Sequence, residues 1–252
     1  MTLPRTRLLI TLALAPLALA ACKQSADSAA TDGSAPSAPV AAVAPPAGKA
    51  WTDVVSVTPD GGYKMGNPDA PIKLIEYGAL SCSHCAEFAH ESSKELLGDF
   101  VASGKVSYEL RFFMLNILDL PATLLATCGP PEAAIPLAEQ FWAWQPNMFE
   151  NLKAAGDGQI QAAGSLPPAQ RFGAVAKLGG MDKFFASRGI AEAQGAMCLA
   201  DTTKATALAN QTDKGSKEMG VTGTPTFFIN GKKVEAGTWP KVKQALQAAG
   251  AR

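Results

Sequence analysis

The chain has 252 residues, with 22 basic and 22 acidic side chains, so its formal net charge is zero. That balance lacks the basic excess of a nucleic-acid binder, two histidines leave little room for a histidine-rich metal centre, and 47% hydrophobic residues is too many for a wholly disordered chain. The length suits one or two domains with a real core, and five cysteines is an odd count, so at least one stays outside any intramolecular disulfide.

Taken in chain order, Arg5 and Arg7 form a short basic start. Leu8 to Leu19 is then almost wholly apolar, a run too short to span a bilayer comfortably but suited to the core of an export signal. It ends in Leu19-Ala20-Ala21-Cys22. Residues 1–21 followed by a cysteine resemble a bacterial lipoprotein signal, which implies cleavage before Cys22 and lipidation of Cys22 as the mature N-terminus. The alternative is an ordinary signal peptide with an incidental cysteine. Acyl chains contribute about 0.8 kcal/mol per buried methylene, so several of them hold a soluble domain at a membrane. Lys23 follows, and resemblance to enterobacterial lipoproteins implies the outer membrane, because an aspartate there is the usual retention signal. Residues 23–50 hold 10 Ala, 4 Pro, 4 Ser and 2 Gly in 28 positions and no aromatic. With the lipidated Cys22 they make a linker over 22–50, expected to be a flexible tether of about 30 Å root-mean-square reach.

The folded domain is expected over residues 51–252. Ile72 to Tyr77 reads as a buried strand with little polar alternation. A turn leads to Cys82-Ser83-His84-Cys85, and a helix continues through Leu97. Two cysteines three apart at a helix start lie on one face and can bridge. Cys82 sits where free amides and the helix dipole favour a thiolate, and His84 between the cysteines is expected to stabilise it further by charge or hydrogen bond. A stabilised thiolate favours the reduced form and makes the disulfide more oxidising. Cys85, one turn in, is expected to be buried and to resolve a mixed disulfide on Cys82. A structural disulfide gains little from so short a loop. A zinc half-site needs two further ligands, and Cys128 and Cys198 occur singly rather than as a second close pair, so no metal is expected.

A strand follows over Val106 to Met114, and then the chain turns helical. Helices are expected at about 131–151, 167–178, 181–186, 189–199 and 203–218. Trp142 and Trp144, within the first of these, either line a peptide groove or fill the core. Gly223-Thr224-Pro225 precedes a strand at Thr226 to Ile229, since proline borders a ladder rather than joining it. Asn230-Gly231 is a hairpin turn, Lys232 to Glu235 the returning strand, and Pro240 to Ala249 a closing helix. Pro225 is either a trans turn proline or a cis proline that exposes backbone groups to an extended substrate.

From about residue 52 to the end the chain resembles the DsbA-type thiol–disulfide oxidoreductases. The marks are Cys82-Ser83-His84-Cys85 after the strand ending Glu76-Tyr77, and Thr224-Pro225 before Thr226-Phe227-Phe228-Ile229. The resemblance implies an α/β thioredoxin fold with a large helical insertion, here about 117–218, which agrees with the long stretch between Cys85 and Pro225. It implies Cys82 as nucleophile, Cys85 as resolving cysteine, a cis Pro225 with Thr224 at the substrate site, and Glu76 as a buried acid tuning the pair. No cofactor is implied. The implied partners are exported proteins with cysteine thiols and a membrane redox protein, either a quinone-linked reoxidant or a thiol carrier. A monomer in the periplasm, anchored by lipid and away from nucleic acid, follows from the same reading. Two positions depart from the best-known oxidants: Ser83 stands where they carry proline, and Thr224 is shared with isomerase and reductase relatives as well as some oxidases. Those relatives, and a non-catalytic peptide-binding lipoprotein, are the competing functions. Exported proteins meet oxidising conditions, so the leftover Cys128 and Cys198 are expected to pair, closing a loop of about 70 residues worth about 4 kcal/mol. Two buried free thiols are the alternative.

Overall fold

The structure, a computed structural model, describes residues 37–252. The expected signal segment, Cys22 and the first part of the linker lie outside the described residues. The sheet is built from β1 (Val55–Val57), β2 (Tyr63–Met65), β3 (Ile72–Gly78), β4 (Val106–Phe112), β5 (Thr226–Ile229) and β6 (Lys232–Val234), in the order β1-β2-β4-β3-β5-β6. β3 and β4 run parallel, with Ile72 opposite Val106 and Gly78 opposite Phe112, and the other pairs are antiparallel. A parallel pair needs a crossover. Here it is α1 (Ser83–Glu95) with a π-helical continuation, Leu96–Val101.

Between β4 and β5 come α2 (Asp119–Ala126), α3 (Pro131–Ala155), α4 (Asp157–Gly164), α5 (Pro168–Gly179), α6 (Met181–Ala186), α7 (Glu192–Ala200) and α8 (Thr202–Met219), and α9 (Trp239–Ala248) closes the chain. Strand residues alternate between faces, so Leu74 and Glu76 of β3 point one way, Ile75 and Tyr77 the other. On the first face α1 buries Cys85, Phe88, Ala89 and Ser92, a stripe at helical spacing. Phe88 stacks against Phe227 with ring centroids 4.4 Å apart, and Trp239 of α9 meets Phe88 and Phe100 edge-on. Burying a phenylalanine of this kind contributes about 2–3 kcal/mol.

On the second face Tyr77, Phe113, Val221 and Phe228 form a smaller cluster. α8 lies against it so closely that a Cβ on Gly215 would stand 2.8 Å from Tyr77 Cε1. The last helix of the expected insertion is therefore also the cover of the sheet. The remaining inserted helices share one core with the sheet: Phe141 stacks on Phe185 at 5.3 Å and belongs to the same cluster as Leu74 and Phe88.

The linker differs from its expectation. It is laid down on the fold well before residue 50. Ser37 N donates to Ala248 O at 2.8 Å, Val40 N to Gly250 O at 2.9 Å and Val43 N to Ser103 O at 2.9 Å. Trp51 Nε1 then donates to Val43 O at 2.7 Å. Composition alone argued for a coil, but backbone amides need only backbone acceptors. Two glycines with positive φ make the seat: a Cβ on Gly250 would come 2.6 Å from Ala38 O, and one on Gly104 2.6 Å from Val43 O. The domain thus begins by residue 37, not 51.

Candidate active site

β3 ends at Gly78, and a short turn brings Cys82 to the N-cap of α1 with extended backbone (φ −83°, ψ 118°). Cys85 N donates to Cys82 Sγ at 3.4 Å, the contact that an N-cap side chain makes with an orphan amide. Across the site the Thr224–Pro225 peptide is cis, and the Cys82 thiol donates to Thr224 O at 3.3 Å. Cys82 is 8% exposed and Cys85 fully buried, and both are free thiols.

The two sulfurs are electrostatically unlike. Cys82 is lowered to about 5, chiefly by the Cys85 thiol donating to its sulfur, with further help from Thr224 and the backbone amides of Cys85 and His84, against the cost of burial. The Thr224 hydroxyl is buried and makes no hydrogen bond in the dithiol form, which leaves it free to donate to a thiolate. Burial, above all, pushes Cys85 well above the usual thiol range. Glu76 is fully buried, and Tyr108 OH donates to its Oε2 at 2.7 Å. Burial raises Glu76 to about 8, with Glu139 and Cys82 adding repulsion, so it holds a proton at neutral pH.

Of the two routes expected for His84, charge or hydrogen bond, it is the backbone amide that reaches the Cys82 sulfur. Its imidazole is 76% exposed and turns to Glu87, 3.5 Å away, because the second residue of a helix projects outward while its N–H points back to the cap. Its contribution to the thiolate is that backbone amide.

Sequence reading missed the residues that hold the cysteine turn. Asp119, fully buried at the start of α2, accepts from Ser81 N, Ser81 Oγ, Leu115 N and Asn116 N at 2.8–3.0 Å. Gln145 Nε2 of α3 donates to Leu80 O at 2.7 Å and Cys82 O at 3.1 Å, and Trp142 Nε1 donates to Ala79 O at 3.0 Å. Trp142 is therefore a core residue with a polar handle on the turn, while Trp144 is half-buried against Phe184. The only hint in the sequence is a buried-looking acid and amide amid apolar helices. Away from the site, Cys128 and Cys198 are bonded, with 70 residues between them in sequence. Among the described residues no group of three or more His, Cys, Asp or Glu side chains is placed to hold a metal ion.

A family model described as Thioredoxin matches residues 58–248. The chain belongs to the thioredoxin family. Among solved structures this thioredoxin-family protein is similar to a protein-disulfide isomerase from Novosphingobium aromaticivorans, at 29% identity and a TM-score of 0.71, over 75% of this chain and 97% of that one. It shares its fold with alpha-DsbA1 from Wolbachia pipientis, at 18% identity and a TM-score of 0.62, over 80% of this chain and 97% of that one. A putative protein-disulfide oxidoreductase from Rickettsia prowazekii is 25% identical over 79% of this chain. The curated relatives are longer proteins. The chain spans 65% of the Rickettsia protein, and 23% of a Salinispora arenicola Na(+)/H(+) antiporter that is 29% identical over 71% of this chain. Among the described residues no helix is long and apolar enough to cross a membrane. The fold is thus a DsbA-like thioredoxin fold whose helical insertion supports the cysteine turn.

Proposed function

We propose that this protein is a thiol–disulfide oxidoreductase that forms disulfides in exported proteins. The observation that carries the reading is the pairing of a low-pKa Cys82 at a helix N-cap with a fully buried Cys85, opposite the carbonyl of Thr224. A substrate thiolate attacks Cys82 Sγ of the oxidised pair. The Cys82–Cys85 bond breaks, and Cys85 leaves with the electron pair and takes up a proton. Glu76, protonated at neutral pH and buried in the same compartment, is the nearby acid that supplies it. The substrate's second thiolate then attacks its own first sulfur, and Cys82 departs as the thiolate its environment stabilises. Two electrons have passed from substrate to protein, and a membrane redox partner, quinone-linked in this reading, takes them on.

Thr224 O and the backbone around Pro225 receive the substrate as an extended strand. Lipidation of Cys22 holds the domain at a membrane facing the periplasm, with the outer membrane favoured by Lys23. The protein works as a monomer without cofactor. The similarity to a protein-disulfide isomerase and the presence of Thr224 favour a second reading, in which a membrane thiol carrier keeps the pair reduced and the same chemistry runs as isomerisation or reduction. Incubating the oxidised protein with a reduced two-cysteine peptide tests the reading. Peptide disulfide is expected to form one-for-one, and Cys82→Ser to form none. A Cys82→Ser protein that retains full function in cells would instead indicate the non-catalytic peptide-binding role. A reduction potential near that of thioredoxin, about −270 mV, would turn the direction to reduction.

A further inference from the structure

In the helical insertion, α3, α5 and α6 line an open groove of about 640 Å³. Trp144 and Phe184 form its aromatic wall, their ring centroids 4.6 Å apart and the planes tilted by 31°. Lys177, Lys183 and Arg188 line it, and no acidic side chain does. Among the described residues neither lysine forms an ion pair, and both are exposed. Both lysines also border the neighbouring cleft, where Asp182 and Glu192 stand; Asp182 accepts from Lys183 N at 2.8 Å, and neither acid is within ion-pair distance of a lysine ammonium.

Arg188 is the unusual member. A surface arginine without a carboxylate ordinarily samples many rotamers and gains little from order. Here the guanidinium lies 3.7 Å over the Phe184 ring. Its Nε donates to Gln140 Oε1, and its Nη1 donates to Phe184 O and Ser187 Oγ. The charge is held in place in advance, and among the described residues Nη2 makes no hydrogen bond and no carboxylate stands within ion-pair distance. Because the whole chain has zero net charge, this local excess is not a by-product of a basic protein. A fixed guanidinium beside two free ammonium groups suits carboxylates. The concave floor with an aromatic wall suits an extended polypeptide, which can enter it, whereas a flat membrane surface cannot.

We propose that this groove binds an acidic segment of the polypeptide substrate. The proposal rests on the oxidoreductase reading for what it says of substrates. α3 joins the two places: Trp144 faces the groove, and the adjacent Gln145 holds the carbonyls of Leu80 and Cys82. A chain whose cysteine reaches Cys82 would lay its neighbouring acidic stretch along α3.

The test separates binding from turnover. Fluorescence anisotropy at low salt would compare a labelled, cysteine-free Glu/Ala peptide with its Gln/Ala twin on the full chain. The acidic peptide is expected to bind about tenfold tighter, the sum of several exposed pairs. The advantage should vanish in K177E/K183E, whose exposed sites leave the thermal melt in place, and at high salt. Lys241→Glu on α9 removes a distant charge and should leave the advantage intact. Equal binding of the two peptides, or an equal loss in K241E, would overturn the groove. Two-cysteine versions of both peptides then report turnover. Acidic peptide that binds but is not oxidised leaves the groove standing and removes the oxidoreductase reading. Peptide that is oxidised but bound no tighter than its neutral twin does the reverse.

Discussion

Burial of Cys85 and one hydrogen bond to Cys82 separate the two sulfurs chemically. The Cys85 thiol donates to Cys82, so the proton stays on the buried sulfur and the charge sits on the one that faces Thr224. Linkage turns this into a stability statement with a definite sign. Cys82 has a folded value of about 5 against 9.0 for the free group, so it binds fewer protons in the folded reduced protein than in the unfolded chain. Its contribution is fully present above the unfolded value, grows between those two values and is lost as pH falls towards 5. At about 1.4 kcal/mol per unit, the Cys82 thiolate should contribute roughly 2–3 kcal/mol to the stability of the reduced protein at neutral pH. The oxidised pair has no thiolate and lacks the term. Thermal melts of both forms between pH 5 and 7.5 are expected to show the reduced form losing stability relative to the oxidised form towards the acid end, alongside a thiolate absorbance midpoint near 5. A difference between the forms that does not change with pH, or a midpoint near 9, would show that the N-cap does not stabilise a thiolate. The pairing of Cys82 with Cys85 was legible in sequence because it depends on neighbours along the chain. His84 contributes a hydrogen bond, through its backbone amide rather than its side chain. Its place between the cysteines says nothing of which way the imidazole turns, and the helix turns it outward to Glu87.

Elements were legible where their period is long and local. α1, α5, α6 and α8 follow apolar spacing, and β3 and β5 follow continuous apolar runs. β1 and β2 are three residues each, too short for a period of two to register, and they form because β4 offers β2 an open edge. α3 continues through Pro136 and Pro146 to Ala155, past the expected end near 151. Its tertiary contacts outweigh a cost of about 3 kcal/mol per interior proline. Gln145, just before Pro146, shows what the helix gains: its amide fixes the turn that carries Cys82. Partners so distant in sequence leave no local trace, which is why Gln145 and Asp119 were not seen. The Cys128–Cys198 bond ties the end of α2 to α7 across a separation of 70 residues. Replacing both cysteines by alanine should cost about 4 kcal/mol in the chain-entropy model and lower the melting temperature. Because the bond touches neither β3 nor α1, the Cys82 titration midpoint should stay where it is. Denaturant unfolding together with the thiolate titration checks both halves. A shifted midpoint would mean that the insertion transmits strain to the site.

Over the whole molecule, the strap at residues 37–43 and the cysteines occupy opposite ends of the central strands. The strap seats on Ser103, Ala248 and Gly250, and Ile72 at the start of β3 bonds Lys105 beside that seat. β3 is seven residues long, about 20 Å along the strand, and Cys82 follows its other end, Gly78. The seat depends on Gly250, whose φ of +110° and open side already exclude a side chain: a Cβ would stand 2.6 Å from Ala38 O and 3.0 Å from Val40 Cγ2. Gly250→Ala should thus displace the strap, expose the amides of Ser37, Val40 and Val43 to exchange, and cost about 2 kcal/mol. Part of that cost is backbone strain at Gly250 itself and part is the clash with the strap. A chain that starts at residue 44 separates them, since in it only the strain remains and the substitution should cost measurably less. Equal costs in the two backgrounds would mean that the strap merely rests on the surface. A smaller cost in the short chain, with the Cys82 midpoint unmoved in all four proteins, would establish a mechanical seat for the strap that is independent of the chemistry at Cys82.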